Sequence, residues 1–62
     1  MSDESIYQLT GDATRIRQVV DHFLLRVDKE HSTTKVDVLV DEEDEDDVQS
    51  FCDSIGIHYR EL

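Results

Sequence analysis

The feature that most constrains the fold is the stretch 34–55, in which an alternating apolar run meets an unbroken block of acidic residues. In residues 34–40, a valine at every second position predicts a strand with its valines on one face and Lys35, Asp37 and Leu39 on the other. Seven acids follow, Asp41–Asp47, called the acidic block below. Helical spacing then resumes, and Gly56 stands where a helix stop belongs. We therefore expect a helix that starts in the acidic block and buries Val48, Phe51, Cys52 and Ile55.

The rest of the chain supplies two further strands and one helix. Residues 1–4 read as a polar tail, and β-forming residues predict short strands over 5–9 and 57–62. Asp12 is placed to cap a helix that we expect to run from Ala13 to about Asp28, followed by a loop over 29–33. The prediction is one small α/β (α+β) domain over 1–62, a two-layer open sandwich of order β-α-β-α-β. Its three-stranded sheet would carry both helices on one face.

The first predicted helix is amphipathic and carries a basic flank. Its apolar stripe, at three- and four-residue steps, consists of Ile16, Val19, Val20, Phe23, Leu24 and Val27. Leu25 lies opposite this stripe, so we expect it to be exposed. Arg15, His22 and Arg26 line one flank, where they either pair with the protein's own acids or anchor a partner. The uncovered sheet face, which would include Leu39, is a candidate surface for a partner or for a homodimer.

The net charge of −10 is concentrated, because the acidic block supplies −7 of it and leaves −3 for the other residues. Such acidity disfavours direct binding of nucleic acid and favours a basic protein partner. No apolar run is long enough to cross a membrane, and the start MSDESIYQ lacks the apolar segment of a signal peptide. A single cysteine suits a reducing compartment, so we expect a cytoplasmic protein.

The sequence offers no catalytic, cofactor or metal motif. Cys52 falls on the apolar face of its helix beside acids, which favours a buried structural thiol over a nucleophile. The three histidines, His22, His31 and His58, lack metal-ligand spacing. A calcium loop starting at Asp41 would need Gly at position 46 and Glu at position 52, where the chain has Asp46 and Cys52. We therefore expect a non-enzymatic protein without cofactor.

One family resemblance can be read from the run VDVLVDEEDEDDVQSFCDSIGIHYREL. It resembles the second half of the small TusA/SirA-like sulfur-carrier proteins, in which an apolar strand ends in Asp-rich sequence before a helix and a strand. The resemblance covers 34–62 and implies a related fold. The family's sulfur-bearing Cys-Pro-x-Pro motif would fall on residues 12–15, which read Asp-Ala-Thr-Arg, and the chain has no proline. The resemblance therefore does not carry the sulfur-transfer activity with it.

Three functions remain open on the sequence. The first is a small acidic interaction module, in its sharpest form an inhibitor or regulator that imitates nucleic-acid phosphates and docks on a basic nucleic-acid-binding protein. The others are a degenerate sulfur-relay protein and a haloadapted protein whose acidity serves a salt-rich cytoplasm. For the first, the predicted partner-binding residues are those of the acidic block and the flanking candidates: Asp41, Glu42, Glu43, Asp44, Glu45, Asp46, Asp47, Arg15, His22, Arg26, Leu25 and Leu39.

Overall fold

The computed structural model describes residues 3–62, which form a four-stranded antiparallel sheet and two helices. In chain order the elements are β1 (Glu4–Thr10), α1 (Ala13–Phe23), β2 (Arg26–Ser32), β3 (Lys35–Asp41), a short 3-10 turn (Glu42–Asp44), α2 (Glu45–Ile55) and β4 (His58–Glu61). The strand order is β2-β3-β1-β4, and each neighbouring pair is antiparallel. This β-α-β-β-α-β arrangement is that of the ferredoxin-like fold.

The predicted three-stranded sheet is therefore wrong, because a fourth strand lies where the sequence pattern predicted the end of a helix and a loop. The helix ends at Phe23, and Leu24 adopts the left-handed conformation with φ of 54°. The following residues, RVDKEHS, form β2 at the sheet edge, and every residue of this strand is exposed. Neither Gly nor Pro marks the turn after Phe23, and a strand without buried positions has no apolar alternation to reveal it.

Several local predictions are confirmed. Val36, Val38 and Val40 are buried, as the alternation predicts. Asp12 caps α1, since its carboxylate accepts hydrogen bonds from the backbone N–H groups of Thr14 at 3.1 Å and Arg15 at 3.3 Å. Gly56 ends α2 with a left-handed φ of 76°, which glycine adopts without steric cost.

Three local predictions about exposure and chain ends are wrong. Leu24 belongs to the predicted apolar stripe but is 89% exposed, whereas Leu25, expected to be exposed, is half-buried against the core. Both differences follow from the early end of α1, because residues after Phe23 no longer follow helical geometry. The predicted polar tail also overlaps a strand, as Glu4 begins β1; residues 1 and 2 lie outside the described part of the chain.

The core lies between one face of the sheet and both helices. Tyr7 pairs with Val38 across β1 and β3, and Leu9 pairs with Val36, so these side chains share the face on which the helices pack. Each helix adds buried residues to this cluster: Ile16 and Val19 from α1, Val48 and Cys52 from α2. The sheet face opposite the helices is uncovered. Within residues 3–62, neither helix has the length and hydropathy needed to cross a membrane.

Candidate partner-docking site

The acidic block is an ordered part of the fold. Asp41 is the last residue of β3 and pairs with Glu4 of β1. The backbone N–H of Glu42 donates to the carbonyl of Asp3 at 2.9 Å, which fixes the chain as it leaves the sheet. The 3-10 turn follows, and the last three acids occupy the first turn of α2, where negative charge complements the helix dipole. The block therefore presents its carboxylates in a defined arrangement.

Glu45 ties the acidic block to the core through Tyr7. The Tyr7 hydroxyl donates to the Glu45 carboxylate at 2.8 Å and accepts a hydrogen bond from the Gln49 amide, also at 2.8 Å. Tyr7 is buried, and burial raises its pKa first, with the hydrogen bond to Glu45 adding in the same direction. The hydroxyl therefore stays protonated and serves as a donor, so Glu45 has a structural task. Both Glu45 and the neighbouring Asp44 are half-buried.

The other five acids of the block are exposed: Asp41, Glu42, Glu43, Asp46 and Asp47. Within residues 3–62, the only ion pair closer than 4.0 Å joins His31 and Asp37, so no Lys or Arg reaches any of the five. In the same part of the chain no three His, Cys, Asp or Glu side chains come together as metal ligands. The five carboxylates therefore form an exposed surface of uncompensated negative charge.

Apolar side chains lie directly beside this charge. A cleft of about 180 Å³ joins the turn between α1 and β2 to the ends of β1 and β3, and it is lined by Glu4, Phe23, Leu24, Leu25, Arg26, Leu39, Asp41 and Asp44. We call these residues, with the exposed acids of the block, the acidic end. Leu24 is the most exposed of its apolar members, in a backbone conformation that disfavours side chains with a Cβ.

Five residues predicted from sequence thus meet in one cleft: Leu25, Arg26, Leu39, Asp41 and Asp44. Sequence reasoning missed Glu4, Phe23 and Leu24, because their approach depends on the pairing of β1 with β3 and on the early end of α1. The two leucines in succession after Phe23 were the only hint, since a regular helix would have placed one of them away from the core.

Arg15 and His22 do not line the cleft, and Arg26 does not join them on the predicted basic flank of α1. The Arg15 guanidinium donates to the carbonyl of Ile55, where it satisfies the carboxyl end of α2. The His22 ring stacks on Phe51 with ring centroids 4.7 Å apart and 18° between the planes. Arg26 lies in β2 beyond the end of α1, so it does not continue the helix face of the other two.

A polar cluster on the uncovered sheet face was also not predicted. Asp37 is only 6% exposed, and its carboxylate accepts hydrogen bonds from His31 Nε2 at 2.9 Å and from Gln8 Nε2 at 3.3 Å. The hydrogen bond from His31 is the main cause that lowers the pKa of Asp37, and it outweighs the opposing effect of burial. The alternation correctly placed Asp37 away from the valines but did not indicate its partners.

Cys52 is fully buried in the core. Burial, with a smaller contribution from the Asp53 charge, raises the pKa of this thiol to about 11. Burial and a raised pKa both disfavour the thiolate, so this environment favours a structural role over a nucleophilic one.

Comparison of the chain with models of protein families and with curated proteins gave no match.

Proposed function

We propose that this protein is a small, non-enzymatic interaction module that docks through its acidic end on a basic surface of another protein. The observation that carries the proposal is the cleft itself, in which Leu24, Leu25 and Leu39 lie beside Asp41 and Asp44. A solvated acidic run alone needs no apolar neighbours. Protein-binding surfaces typically combine apolar side chains at the centre with a polar or charged rim, as this cleft does.

The two components of this surface contribute differently to binding. The uncompensated carboxylates steer a basic partner toward the acidic end and select against acidic surfaces. Burial of Leu24 supplies affinity, since complete burial of a leucine side chain contributes about 1.5–3 kcal/mol. The partner class is a basic protein with an apolar contact point. Proteins that hold nucleic acid have such basic surfaces, and on them the module would act as an inhibitor or regulator.

The alternative of a sulfur-relay protein is not favoured by any observation, because the single cysteine is buried with a raised pKa. The alternative of haloadaptation accounts for the acidity but not for the exposed Leu24 beside it.

The test compares two variants of equal net charge. Each is used first to capture a partner protein and then to measure binding to the purified partner. The first replaces the five exposed acids of the block with amides: Asp41→Asn, Glu42→Gln, Glu43→Gln, Asp46→Asn and Asp47→Asn. The matched control replaces five exposed acids elsewhere: Asp21→Asn, Asp28→Asn, Glu30→Gln, Asp53→Asn and Glu61→Gln. Both change the net charge from −10 to −5, so they differ only in where the charge is removed. Glu45 is kept in both because it holds Tyr7.

We expect the native chain and the control to capture the same basic protein, and the block variant to lose it. With the purified partner, the dissociation constant of the native chain should rise about tenfold or more as salt increases from low to molar concentration. Leu24→Gly should weaken binding without weakening the fold, because glycine suits the left-handed conformation at this position. Equal loss by the block variant and the control, or binding insensitive to both salt and Leu24→Gly, would overturn the proposal.

A further inference from the structure

The uncovered sheet face, opposite the helices, carries most of the cations of this acidic protein. The strand register places on it four of the six Lys and Arg residues: Arg26, Lys29, Lys35 and Arg60. At the positions fixed by the register it carries three of the sixteen acids, Glu4, Asp37 and Asp41. The face therefore has a net charge of about +1, while the molecule as a whole has −10. We call this surface the open face.

The charge on the open face is also polarised along the strands. At one end Glu4 pairs with Asp41 across β1 and β3, and Arg26 of β2 pairs with Leu39 nearby, so this end has a net charge of about −1. At the other end Lys35 pairs with Thr10, which in turn pairs with His58 of β4. Lys35 and Asp41 are the first and last residues of β3, six positions apart and on the same face. The open face thus has a negative end and a positive end, separated by about 20 Å at the rise of an antiparallel strand.

We infer that the occupant of the open face is the open face of a second copy of this chain, with the strands of the two sheets running in opposite directions. A twofold axis that lies in the interface and runs perpendicular to the strands places β3 of one copy over β3 of the other. The two strands then run in opposite directions, so the first residue of each faces the last residue of the other. Lys35 of each copy then lies over Asp41 of the other, so one symmetric contact forms two opposite-charge pairs. A twofold axis parallel to the strands would set the negative end of one copy over the negative end of the other, which the charge pattern disfavours.

The centre of the open face is compatible with this packing. Asp37 already has its hydrogen bonds from His31 and Gln8, and no buried side-chain N or O within residues 3–62 lacks a partner. Ile6 and Leu39, which pair across β1 and β3, supply half-buried apolar surface on which the aliphatic stems of facing lysines can lie. Sheets packed face to face in this way keep their strands within about 30° of each other.

The size of the face makes this a weak dimer. Four strands of up to seven residues cover roughly 400 Å² per copy, about half of the area in a standard stable interface. The overall charge of −10 also opposes association, although at physiological salt only charges within about 8 Å act strongly on each other. We therefore expect a dimer that is populated only at high protein concentration and that molar salt weakens further.

The test exchanges the charges of the proposed pair. Lys35→Glu alone and Asp41→Lys alone should each be monomeric at concentrations where the native chain dimerises, since each homodimer then sets like charges opposite each other. An equimolar mixture of the two variants should dimerise, because both contacts of the mixed dimer again join opposite charges. Sedimentation velocity from about 10 µM to about 1 mM measures the states, and far-UV circular dichroism confirms that each variant is folded.

Each outcome decides the inference. Dimerisation of the mixture but of neither variant alone supports it. A native chain that stays monomeric at about 1 mM, a mixture that stays monomeric, or native assemblies larger than a dimer would overturn it, since a closed twofold contact cannot grow. Leu24→Gly should leave the dimer unchanged because Leu24 lies in the turn outside the strands. Failure of the dimer therefore remains distinguishable from failure of partner docking.

Discussion

Asp37 shows how one side chain links the stability of this protein to pH. Its hydrogen bond from His31 lowers the pKa below the ordinary value of 3.8, so the fold favours the ionised carboxylate. The resulting stabilisation is present above the pKa of the unfolded state and is lost as the pH falls through the lower pKa of the folded state. We expect Asp37→Asn to lower the melting temperature at neutral pH, with a difference from the native chain that shrinks below about pH 3.8.

Thermal unfolding by circular dichroism at several pH values measures this difference. Asp21→Asn is the control, because Asp21 is an exposed acid on α1 away from the His31–Asp37 cluster. A deficit of Asp37→Asn that is the same at every pH would mean that packing, and not the charge, is what the carboxylate contributes.

Cys52 allows a direct test of accessibility. With the pKa of its thiol raised to about 11, the thiolate is a fraction of about one in a thousand at pH 8, and the surrounding core excludes reagents. We expect iodoacetamide to leave the native protein unmodified and to add a single group once urea unfolds it, as read by intact mass. Rapid labelling without urea would contradict the buried position and would reopen the sulfur-relay alternative.

At the level of elements, the hydroxyl of Tyr7 joins β1 to the start of α2. Tyr7→Phe removes the donor to Glu45 and the acceptor for Gln49, and leaves both partners half-buried. We expect a loss of about 1–3 kcal/mol in the free energy of unfolding, measured by urea denaturation. Tyr59→Phe on β4 is the control, as its half-buried ring packs near Tyr7. Equal losses in both variants would show that the Tyr7 hydroxyl contributes no more than that of Tyr59, and would contradict the structural role of its hydrogen bonds to Glu45 and Gln49.

The turn between α1 and β2 is the second element-level test. Leu24 holds a left-handed conformation that costs a residue with a Cβ about 1–2 kcal/mol, and 89% of its surface is exposed. The greater freedom of glycine in the unfolded chain offsets part of the gain, so Leu24→Gly should stabilise the fold by about 0.5–1 kcal/mol.

The same urea titration measures the effect, with Leu24→Ala as the control because alanine also bears a Cβ. Stabilisation by glycine but not by alanine would show that the native leucine is kept at a cost to the fold. If glycine destabilises the protein instead, Leu24 is a structural residue and its part in docking loses its support.

The elements show what a sequence pattern can report. The strand over β3, the helix after the acidic block and the stop at Gly56 were predictable, because burial of one face imposes periodicity and left-handed geometry selects glycine. β2 was not predictable, since an edge strand with all residues exposed needs no apolar period. The position of β2 also changes the strand order of the sheet. β2 forms a hairpin with β3, so β3 lies between β1 and β2, which run parallel to each other.

The candidate site was predictable in its charged part and in two of its apolar residues, Leu25 and Leu39. The acidic block is visible as seven consecutive letters, and Leu39 and Arg26 were named from their positions in the pattern. Leu24 and Glu4 also line the cleft, but their positions depend on contacts between β1, β3 and the end of α1. These elements are distant in sequence, so the sequence pattern does not indicate the contacts. Arg15 was predicted either to pair with the protein's own acids or to anchor a partner, whereas tertiary packing gives its guanidinium the carbonyl of Ile55.

On the scale of the whole molecule, the charge of −10 sets the response to salt. Carboxylates without cationic partners repel one another, and this repulsion destabilises the compact state. Salt screens it with a range of about 10 Å at 0.1 M and about 3 Å at 1 M. We therefore expect the native chain to be folded without molar salt, and its melting temperature to rise with sodium chloride mostly below about 0.5 M before levelling off.

The five-amide block variant separates repulsion from a general requirement for salt. It should start from a higher melting temperature and rise less with salt than the native chain, with the equally charged control lying between the two, because the block holds its acids closest together. A native chain that lacks helical and strand signal until salt reaches about 1–2 M would identify the acidity as haloadaptation. A fold that is complete at low salt would leave haloadaptation without support. Because the repulsion at the acidic end costs stability, its retention would then favour the interpretation that this surface binds a basic partner.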